Sequence, residues 1–304
     1  MEKYLITGST GFVGATLINY LQINNSALRI LSRSPVQGYE NWICDFEKEE
    51  IPYDALESID IVVHLAGIAH DVEKRKFTEN IYNIVNVKAT IDLAKKAARA
   101  GVKKFIFISS VKAGGRALQN IRMDETHQNS VDNIYGATKR KAEMMLLEIG
   151  LESKMHISII RPSLIYGPNM KGNLSKMMNG IKSGWFPPLP NNGNQRSMVH
   201  VDDVIRAILF VSKEKKANGQ IFILTDGKSY SSREIYETMC KELNVKIPKW
   251  AIPYFVFKLI SLLSKNLAFK VDKLFGDEYY SSSKLSLLGF EPSKTFKEMN
   301  ETYF

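Results

Sequence analysis

The sequence predicts an α/β fold in which a doubly wound parallel sheet is followed by a second, smaller α/β region. Short apolar runs rich in β-branched residues alternate with longer helical patterns up to about residue 165. Most of these runs are apolar at nearly every position rather than at every second one, as in "IDIVVHLAG" at 59–67. Strands that are buried on both faces have this composition, which is typical of parallel sheets covered by helices on each side.

The predicted elements begin at residue 3. We expect strands at residues 3–8, 28–33, 59–67, 103–110 and 156–163, and helices at 14–24, 83–101 and from about residue 135. Beyond residue 165, glycine, proline and asparagine become more frequent, as in "GWFPPLPNNGNQR" at 184–196. We therefore assign residues 1–165 to a first domain and residues 166–304 to a substrate-binding region, and we expect some segments of the second to return to the first.

The composition is that of an ordinary globular protein, with 44% hydrophobic and 24% charged residues among 304. Two cysteines, Cys44 and Cys240, are too few for a disulfide framework, so a reducing, cytoplasmic location is expected. The five histidines are scattered, and no metal site is expected. The net charge of +9 is spread along the chain, which favours a solvated basic surface over a nucleic-acid-binding one.

The most apolar later segment is "IPYFVFKLISLLSKNLAF" at 252–269. Lys258 and Lys265 interrupt it, and it is too short and too charged to span a bilayer, so no stable membrane insertion is expected. The N-terminus likewise enters a strand pattern without the features of a signal peptide. We expect the segment to form an amphipathic helix that covers the active site or another subunit, with contact to a membrane surface as the less favoured alternative.

A glycine-rich turn lies between the first predicted strand and the first predicted helix. Gly8, Gly11 and Gly14 form a G-x-x-G-x-x-G pattern there. Glycines allow the backbone to approach a pyrophosphate, and the helix that follows presents N–H donors at its N-terminus. The position of the pattern predicts a Rossmann dinucleotide-binding domain, with Phe12 and Val13 also at the cofactor.

The end of the second predicted strand bears on the choice of cofactor. Dinucleotide-binding domains that use NAD usually place a carboxylate there to hold the ribose 2′-hydroxyl. This chain has Ser32, Arg33 and Ser34 instead. A guanidinium fits a 2′-phosphate better, so Arg33 favours NADP, while NAD stays open as the alternative.

A series of short motifs along nearly the whole chain is similar to those of one enzyme family. In order, they are "TGSTGFVG" (7–14), "CDF" (44–46), "HLAG" (64–67), "NVKAT" (86–90), "FISS" (107–110), "YGATK" (135–139), "RPSLIYGP" (161–168), "RSMVHVDD" (196–203) and "LGFEP" (288–292). With these motifs the chain resembles the extended short-chain dehydrogenases/reductases, and within them the NAD-dependent epimerase/dehydratase group that acts on nucleotide sugars. The resemblance implies that Asn86 steadies the central sheet. It implies further cofactor contacts from Asp45, Phe46, Leu65, Ala66, Gly67 and Pro162.

Tyr135 and Lys139 are the candidate catalytic pair. Residues four apart share one helix face, so both side chains are expected to point the same way. The same spacing to a lysine occurs at Tyr254 and Tyr280, which we interpret as packing or surface residues because they lie in an apolar run and a serine-rich turn. Only Tyr135 begins a helix that follows a strand ending in two serines, the second being Ser110.

The chemistry of hydride transfer explains this pairing. A proton must leave the sugar hydroxyl as hydride moves between its carbon and a nicotinamide. Tyrosine has an ordinary pKa of about 10, and we expect the Lys139 ammonium and the charge of the oxidised nicotinamide to lower it. The resemblance implies a Ser110–Tyr135–Lys139 arrangement, in which Ser110 holds the sugar oxygen and Tyr135 and Lys139 also contact the cofactor.

The exact reaction stays open between two candidates. Dehydration is excluded because the family's dehydratases carry Thr-Asp-Glu where this chain has "SSVKAGG" at 109–115. Arg33, and Leu164 where many epimerases have an asparagine, favour a 4-keto-sugar reductase over a 4-epimerase. The motifs resemble most the bacterial surface-polysaccharide subgroup. A non-catalytic dinucleotide-binding regulator is a third possibility, which retention of the three catalytic residues disfavours.

The resemblance also indicates how the substrate and a partner subunit are held. Arg196 matches the family's diphosphate-contacting arginine, and Asn173 its nucleotide-contacting asparagine. A UDP-sugar is the expected substrate. A homodimer is expected through helices at 86–100 and 135–150.

Overall fold

The computed structural model describes residues 2–69 and 78–299. Its strands are β1 (Lys3–Thr7), β2 (Ala27–Ser32), β3 (Glu40–Ile43), β4 (Ile61–His64), β5 (Lys104–Ile108), β6 (His156–Pro162), β7 (Leu164–Tyr166), β8 (Arg196–His200), β9 (Gln220–Leu224) and β10 (Ser229–Tyr230). Its α-helices are α1 (Phe12–Ile23), α2 (Glu79–Asn83), α3 (Ala89–Arg99), α4 (Ile134–Ser153), α5 (Asn173–Lys182), α6 (Val201–Lys213), α7 (Ser232–Glu242), α8 (Tyr254–Leu263), α9 (Lys265–Phe275) and α10 (Ser283–Ser286). A π-helical stretch, Ile84–Lys88, joins α2 to α3.

Within the described residues, seven parallel strands form the main sheet in the order β3-β2-β1-β4-β5-β6-β9. The chain runs outward from β1 to β3 and then returns to β4 on the other side of β1. In open sheets of this kind, ligands bind at the carboxyl ends of the strands where the direction reverses. The predicted doubly wound α/β fold is confirmed, and β1 and β4 mark the place where its ligand crevice is expected.

Two apolar clusters cover the two faces of this sheet. On β1, Ile6 joins the cluster that contains α1 and α6, whereas its neighbour Leu5 joins the cluster that contains α3 and α4. Successive side chains of a strand point to opposite faces, so burial on both sides requires a continuous apolar run. This is why the central strands could be recognised in the sequence.

Residues after 165 contribute to both parts of the molecule. β7, β8 and β10 form a separate three-stranded sheet, in which β7 is parallel and β10 antiparallel to β8. β9 extends the main sheet beside β6, and α6 packs against α1. The boundary at residue 165 stays a prediction. The chain after it supplies β9 to the main sheet and α6 to the helices that cover that sheet.

The apolar segment at 252–269 forms two helices rather than the single predicted helix. Ser264 separates them with an extended backbone, and its hydroxyl accepts a hydrogen bond from the amide of Leu267 to start α9. The rings of Tyr254, at the start of α8, and Phe275, at the end of α9, lie 5.2 Å apart. The two helices therefore form an antiparallel hairpin. Throughout the described ranges, no helix has the length and apolar character needed to cross a membrane.

A buried ion pair connects β6 to α4. Arg161 donates from Nε and Nη2 to the two carboxylate oxygens of Glu143, over 2.9 and 2.6 Å. Both side chains are 1% exposed. The paired geometry satisfies the two charges where water cannot reach them.

We expect Arg161→Met to lower the free energy of unfolding by ~3–5 kcal/mol, because it leaves the Glu143 carboxylate buried without its cation. Urea titration followed by circular dichroism measures this change. The double variant Glu143→Leu/Arg161→Met removes both charges and should recover most of the loss. A single variant as stable as the parent chain would contradict this account.

Candidate active site

A cleft of about 2140 Å³ opens at the carboxyl ends of the main-sheet strands. It is lined by Gly8 after β1, Arg33 after β2, Ala66 after β4 and Ser110 after β5. The second sheet and the α8–α9 hairpin supply its other walls. The cleft therefore lies at the edge where the topology predicts a ligand site.

The glycine turn after β1 fits a dinucleotide because its backbone leaves no room for side chains. Gly8 has a φ of +71°, and a Cβ on it would lie 2.7 Å from the amide nitrogen of Ala66. A Cβ on Gly14 would lie 2.1 Å from the carbonyl oxygen of Gly8. Gly11 precedes α1 and caps it without a side chain. The turn thus presents bare backbone N–H groups to the cleft, which is the surface a pyrophosphate requires.

A chain of buried hydrogen bonds fixes the backbone after β4. The Thr7 hydroxyl accepts from the amides of Leu65 and Ala66, over 3.2 and 3.1 Å. It also contacts Nδ1 of His64 at 2.7 Å, while Nε2 of His64 lies 2.8 Å from the Thr90 hydroxyl. Burial lowers the pKa of His64 to about 3, so its ring is neutral at physiological pH. Sequence reasoning missed this positioning role, for which "HLAG" was the available signal.

Asn86 ties the floor of the cleft to α4. Its side chain makes a reciprocal pair with the backbone of Ile68, accepting at 2.7 Å and donating at 3.0 Å. Its amide also donates to the hydroxyl of Thr138 at 3.2 Å. Asn86 lies in the π-helical stretch, a distortion that is often found at functional sites. Asn86 therefore contacts α4 at Thr138, the residue directly before Lys139.

Tyr135 and Lys139 both reach the cleft from the first turns of α4. The side chain of Asn133 starts this helix by accepting from the amide of Gly136 at 2.8 Å. Nζ of Lys139 donates to the carbonyl oxygen of Ile108, at the end of β5, over 2.9 Å. It also lies 4.5 Å from the centroid of the Phe107 ring. Lys139 is 3% exposed, so its cation is enclosed by protein.

The protein's own groups do not activate Tyr135. Burial raises its pKa to about 12, and the charge of Glu143 raises it further, while a hydrogen bond with Ser110 opposes the effect. Burial also lowers the pKa of Lys139 to about 8, against the stabilising charge of Glu143. This differs from the expectation of a depressed tyrosine pKa, because desolvation outweighs the hydrogen bond with Ser110. A further positive charge is needed to favour the phenolate.

Every residue predicted for the site lines this one cleft. The predicted cofactor contacts among them are Gly8, Gly11, Phe12, Val13, Gly14, Arg33, Asp45, Phe46, Leu65, Ala66, Gly67, Tyr135, Lys139 and Pro162. The predicted substrate contacts are Ser110, Asn173 and Arg196. Their individual roles stay predictions. The residues come from separate strands and helices, and the fold brings them together.

Arg196 has a structural task in addition to its predicted one. Its Nη1 donates to the backbone carbonyls of Lys273 and Gly276, over 2.8 and 3.2 Å. It therefore braces the C-terminal end of α9 against the cleft wall. Asn173, the first residue of α5, lies exposed at the cleft.

Sequence reasoning did not find one charged cluster in the wall. Lys112 forms an ion pair with Glu278, whose carboxylate also accepts from the hydroxyl of Tyr280 at 2.6 Å. Tyr280 is 4% exposed and lines the cleft, so the prediction of a packing or surface residue overlooked its position in the site. The charges of Lys112 and Arg196 lower the pKa of Glu278 despite its burial. Lys112 and Glu278 lie 166 positions apart, and no local pattern could connect them.

No three His, Cys, Asp or Glu side chains come together as a possible metal site in the described part of the chain. Cys44 and Cys240 are both buried and free.

Comparison with known proteins gives a consistent result. A model of the "NAD dependent epimerase/dehydratase family" matches residues 4–224. A UDP-glucose 4-epimerase of Vibrio cholerae is 32% identical over 98% of this chain and 93% of its own length. An N-acetyl-α-D-glucosaminyl-diphospho-ditrans,octacis-undecaprenol 4-epimerase of Escherichia coli O157:H7 is 28% identical over 83% of this chain and 76% of its own.

Solved structures show the same fold. The crystal structure of UDP-glucose 4-epimerase from Thermotoga maritima with UDP-glucose superimposes with a TM-score of 0.81. It is 21% identical, and the match covers 99% of this chain and 97% of that one.

Proposed function

The chain belongs to the NAD-dependent epimerase/dehydratase family, and on that premise we propose that it is a 4-epimerase of UDP-hexoses or UDP-N-acetylhexosamines. It is an enzyme of this family and uses a nicotinamide dinucleotide, NAD or NADP.

One observation carries the choice of reaction. The chain matches a UDP-glucose 4-epimerase at 32% identity over 98% of its length, and a second relative is also named a 4-epimerase. These relatives favour epimerisation over the 4-keto-sugar reduction that Arg33 and Leu164 suggested. Leu164 lies at the cleft and packs into the core of the second sheet. An apolar residue at that position therefore also has a packing reason, which weakens the argument for a reductase.

The first step in this proposal is oxidation of the sugar at C4. When bound, the dinucleotide supplies the hydride acceptor and donor for that carbon. The oxygen of Tyr135 takes the proton of the C4 hydroxyl as the C–H bond breaks, and it returns the proton after the keto-sugar has turned over. Ser110, which shares a hydrogen bond with Tyr135, holds the sugar oxygen between the two transfers.

Turning the keto-sugar requires space and a stable anchor. A cleft of about 2140 Å³ exceeds the ~300–1,000 Å³ of ordinary small-molecule sites, which leaves room for a cofactor and a second nucleotide. Arg196 and the start of α5 at Asn173 are the proposed holders of the UDP group. The diphosphate would stay fixed there while the sugar rotates about its bonds.

The homodimer expected through residues 86–100 and 135–150 stays a prediction. Most of these two segments lies in α3 and α4, which pack side by side. The side chain of Met144 on α4 is exposed, as an interface residue of a separated subunit would be.

Arg33 is the proposed determinant between NADP and NAD. It is exposed at the cleft after β2, and no carboxylate occupies residues 32–34. Asp45, on the loop that follows β3, is the nearest acidic residue further along the chain that also lines the cleft. Family membership leaves the choice open, because both cofactors bind by the same pyrophosphate turn.

We expect the enzyme to convert UDP-glucose or UDP-N-acetylglucosamine into a mixture of that sugar nucleotide and its C4 epimer. Proton NMR of the sugar signals measures the conversion.

The variant Tyr135→Phe should lower kcat by ~10²–10⁴ and leave the Kd for the dinucleotide near normal, because the phenol oxygen moves the proton. Tyr53→Phe, at an exposed position outside the cleft, is the matched control. No epimer from any UDP-sugar, together with stoichiometric NADPH oxidation by a 4-keto-sugar nucleotide, would overturn the proposal in favour of the reductase.

We expect Arg33→Ala to weaken NADPH binding ~10–100-fold and NADH binding much less, since a charge-assisted hydrogen bond contributes ~1.5–3 kcal/mol. Isothermal titration calorimetry with both cofactors measures the difference. Arg99→Ala, on the exposed side of α3, controls for loss of a surface charge. Equal losses for the two cofactors would show that Arg33 does not bind the 2′-phosphate.

A further inference from the structure

The α8–α9 hairpin exposes an apolar stripe to solvent. Phe255, Leu259, Leu262 and Leu263 of α8 are all largely exposed, the two last at 80% and 77%. Their spacing places them along one face of the helix. The opposite face is buried, since the Phe257 ring packs on Phe275 with centroids 4.8 Å apart. Helix α8 therefore carries apolar side chains both on its inner face, which is buried, and on its outer face, which is exposed.

The exposed residues in and just before the hairpin are also rich in lysine. Residues 246–273 contain one acidic residue, Asp272, and six lysines, which are Lys246, Lys249, Lys258, Lys265, Lys270 and Lys273. All of these lysines except Lys273 are exposed. Trp250, on the segment that leads into α8, is exposed too. Lysines beside exposed leucine, phenylalanine and tryptophan are the composition of helices that lie in the surface of an anionic bilayer.

A second copy of the chain is a poor occupant for the same face. A twofold interface brings the same patch of each subunit together, so the lysines of one hairpin would meet those of the other. Like charges placed opposite each other in an interface are costly, and lysine is depleted in protein–protein interfaces generally. A negatively charged lipid surface instead complements both the lysines and the apolar stripe.

We propose that the α8–α9 hairpin docks the enzyme peripherally on an anionic phospholipid bilayer. Docking requires no spanning helix, and none is found among the described residues. The stripe adjoins the active cleft, because Leu259, Leu262 and Phe269 are exposed and also line it. Arg196, which braces the end of α9, links the hairpin directly to the proposed diphosphate site. The docked enzyme would therefore hold the mouth of its cleft at the lipid surface, whichever sugar it converts.

Vesicle sedimentation of the full-length protein tests this proposal. We expect binding to vesicles of equal phosphatidylcholine and phosphatidylglycerol, a decrease at higher salt, and much weaker binding to phosphatidylcholine alone. The double variant Phe255→Glu/Leu263→Glu should lose at least ~tenfold in affinity for the anionic vesicles, because it places charge in the stripe. Neither residue lines the cleft, so turnover and the thermal midpoint should stay at the parent values.

Ile23→Glu/Leu287→Glu is the matched control, since it adds the same two carboxylates at exposed apolar positions outside the hairpin. It should bind the vesicles like the parent protein. An equal loss of vesicle affinity in both double variants would show that net charge alone accounts for binding, and it would overturn the proposal. The proposal would also be overturned if the parent protein did not bind anionic vesicles. It would be overturned as well if the hairpin variant differed from the parent only in forming a smaller oligomer, as measured by light scattering.

Discussion

The active cleft is organised around a buried lysine cation. Lys139 lies at the floor of the cleft, where its ammonium has the Ile108 carbonyl as a hydrogen-bond acceptor and the Phe107 ring at its side. Burying a charge is costly, so its pKa falls to about 8, and the nearby Glu143 carboxylate limits the fall. Glu143 is in turn held by Arg161 of β6. A series of charged groups thus runs from β6 through α4 to Tyr135, the proposed catalytic residue.

This arrangement links proton transfer to occupation of the cleft. Enclosure by protein and the charge of Glu143 both favour the protonated phenol of Tyr135, with a pKa of about 12. A positively charged ligand beside it opposes both effects. In the proposed mechanism, the tyrosine therefore becomes a competent base only when an oxidised nicotinamide lies beside it. Such dependence suits the proposed 4-epimerase, which must recover its proton and its hydride in each turnover.

Short sequence patterns predicted those parts of the fold that depend on residues close together in the chain. The central strands are apolar because both faces are buried, and the glycine turn and the pairing of Tyr135 with Lys139 lie within single short segments. The strand β3 was missed because "ENWI" at 40–43 forms a polar, half-exposed edge. The break at Ser264 has a local signal, the hydroxyl that accepts from the amide of Leu267, which the prediction of a single helix overlooked. The Lys112–Glu278 pair and the burial that raises the pKa of Tyr135 depend on residues distant in sequence. Only tertiary packing decides them.

The protonation state of Tyr135 with and without cofactor is the most direct measure of this coupling. Tyrosine labelled with carbon-13 at Cζ, assigned by comparison with Tyr135→Phe, can be titrated by NMR. We predict that the Tyr135 signal does not titrate up to pH about 10 in the protein alone, and that saturating NAD brings its pKa below the ordinary value of about 10. A Tyr135 pKa that NAD leaves unchanged would contradict the account.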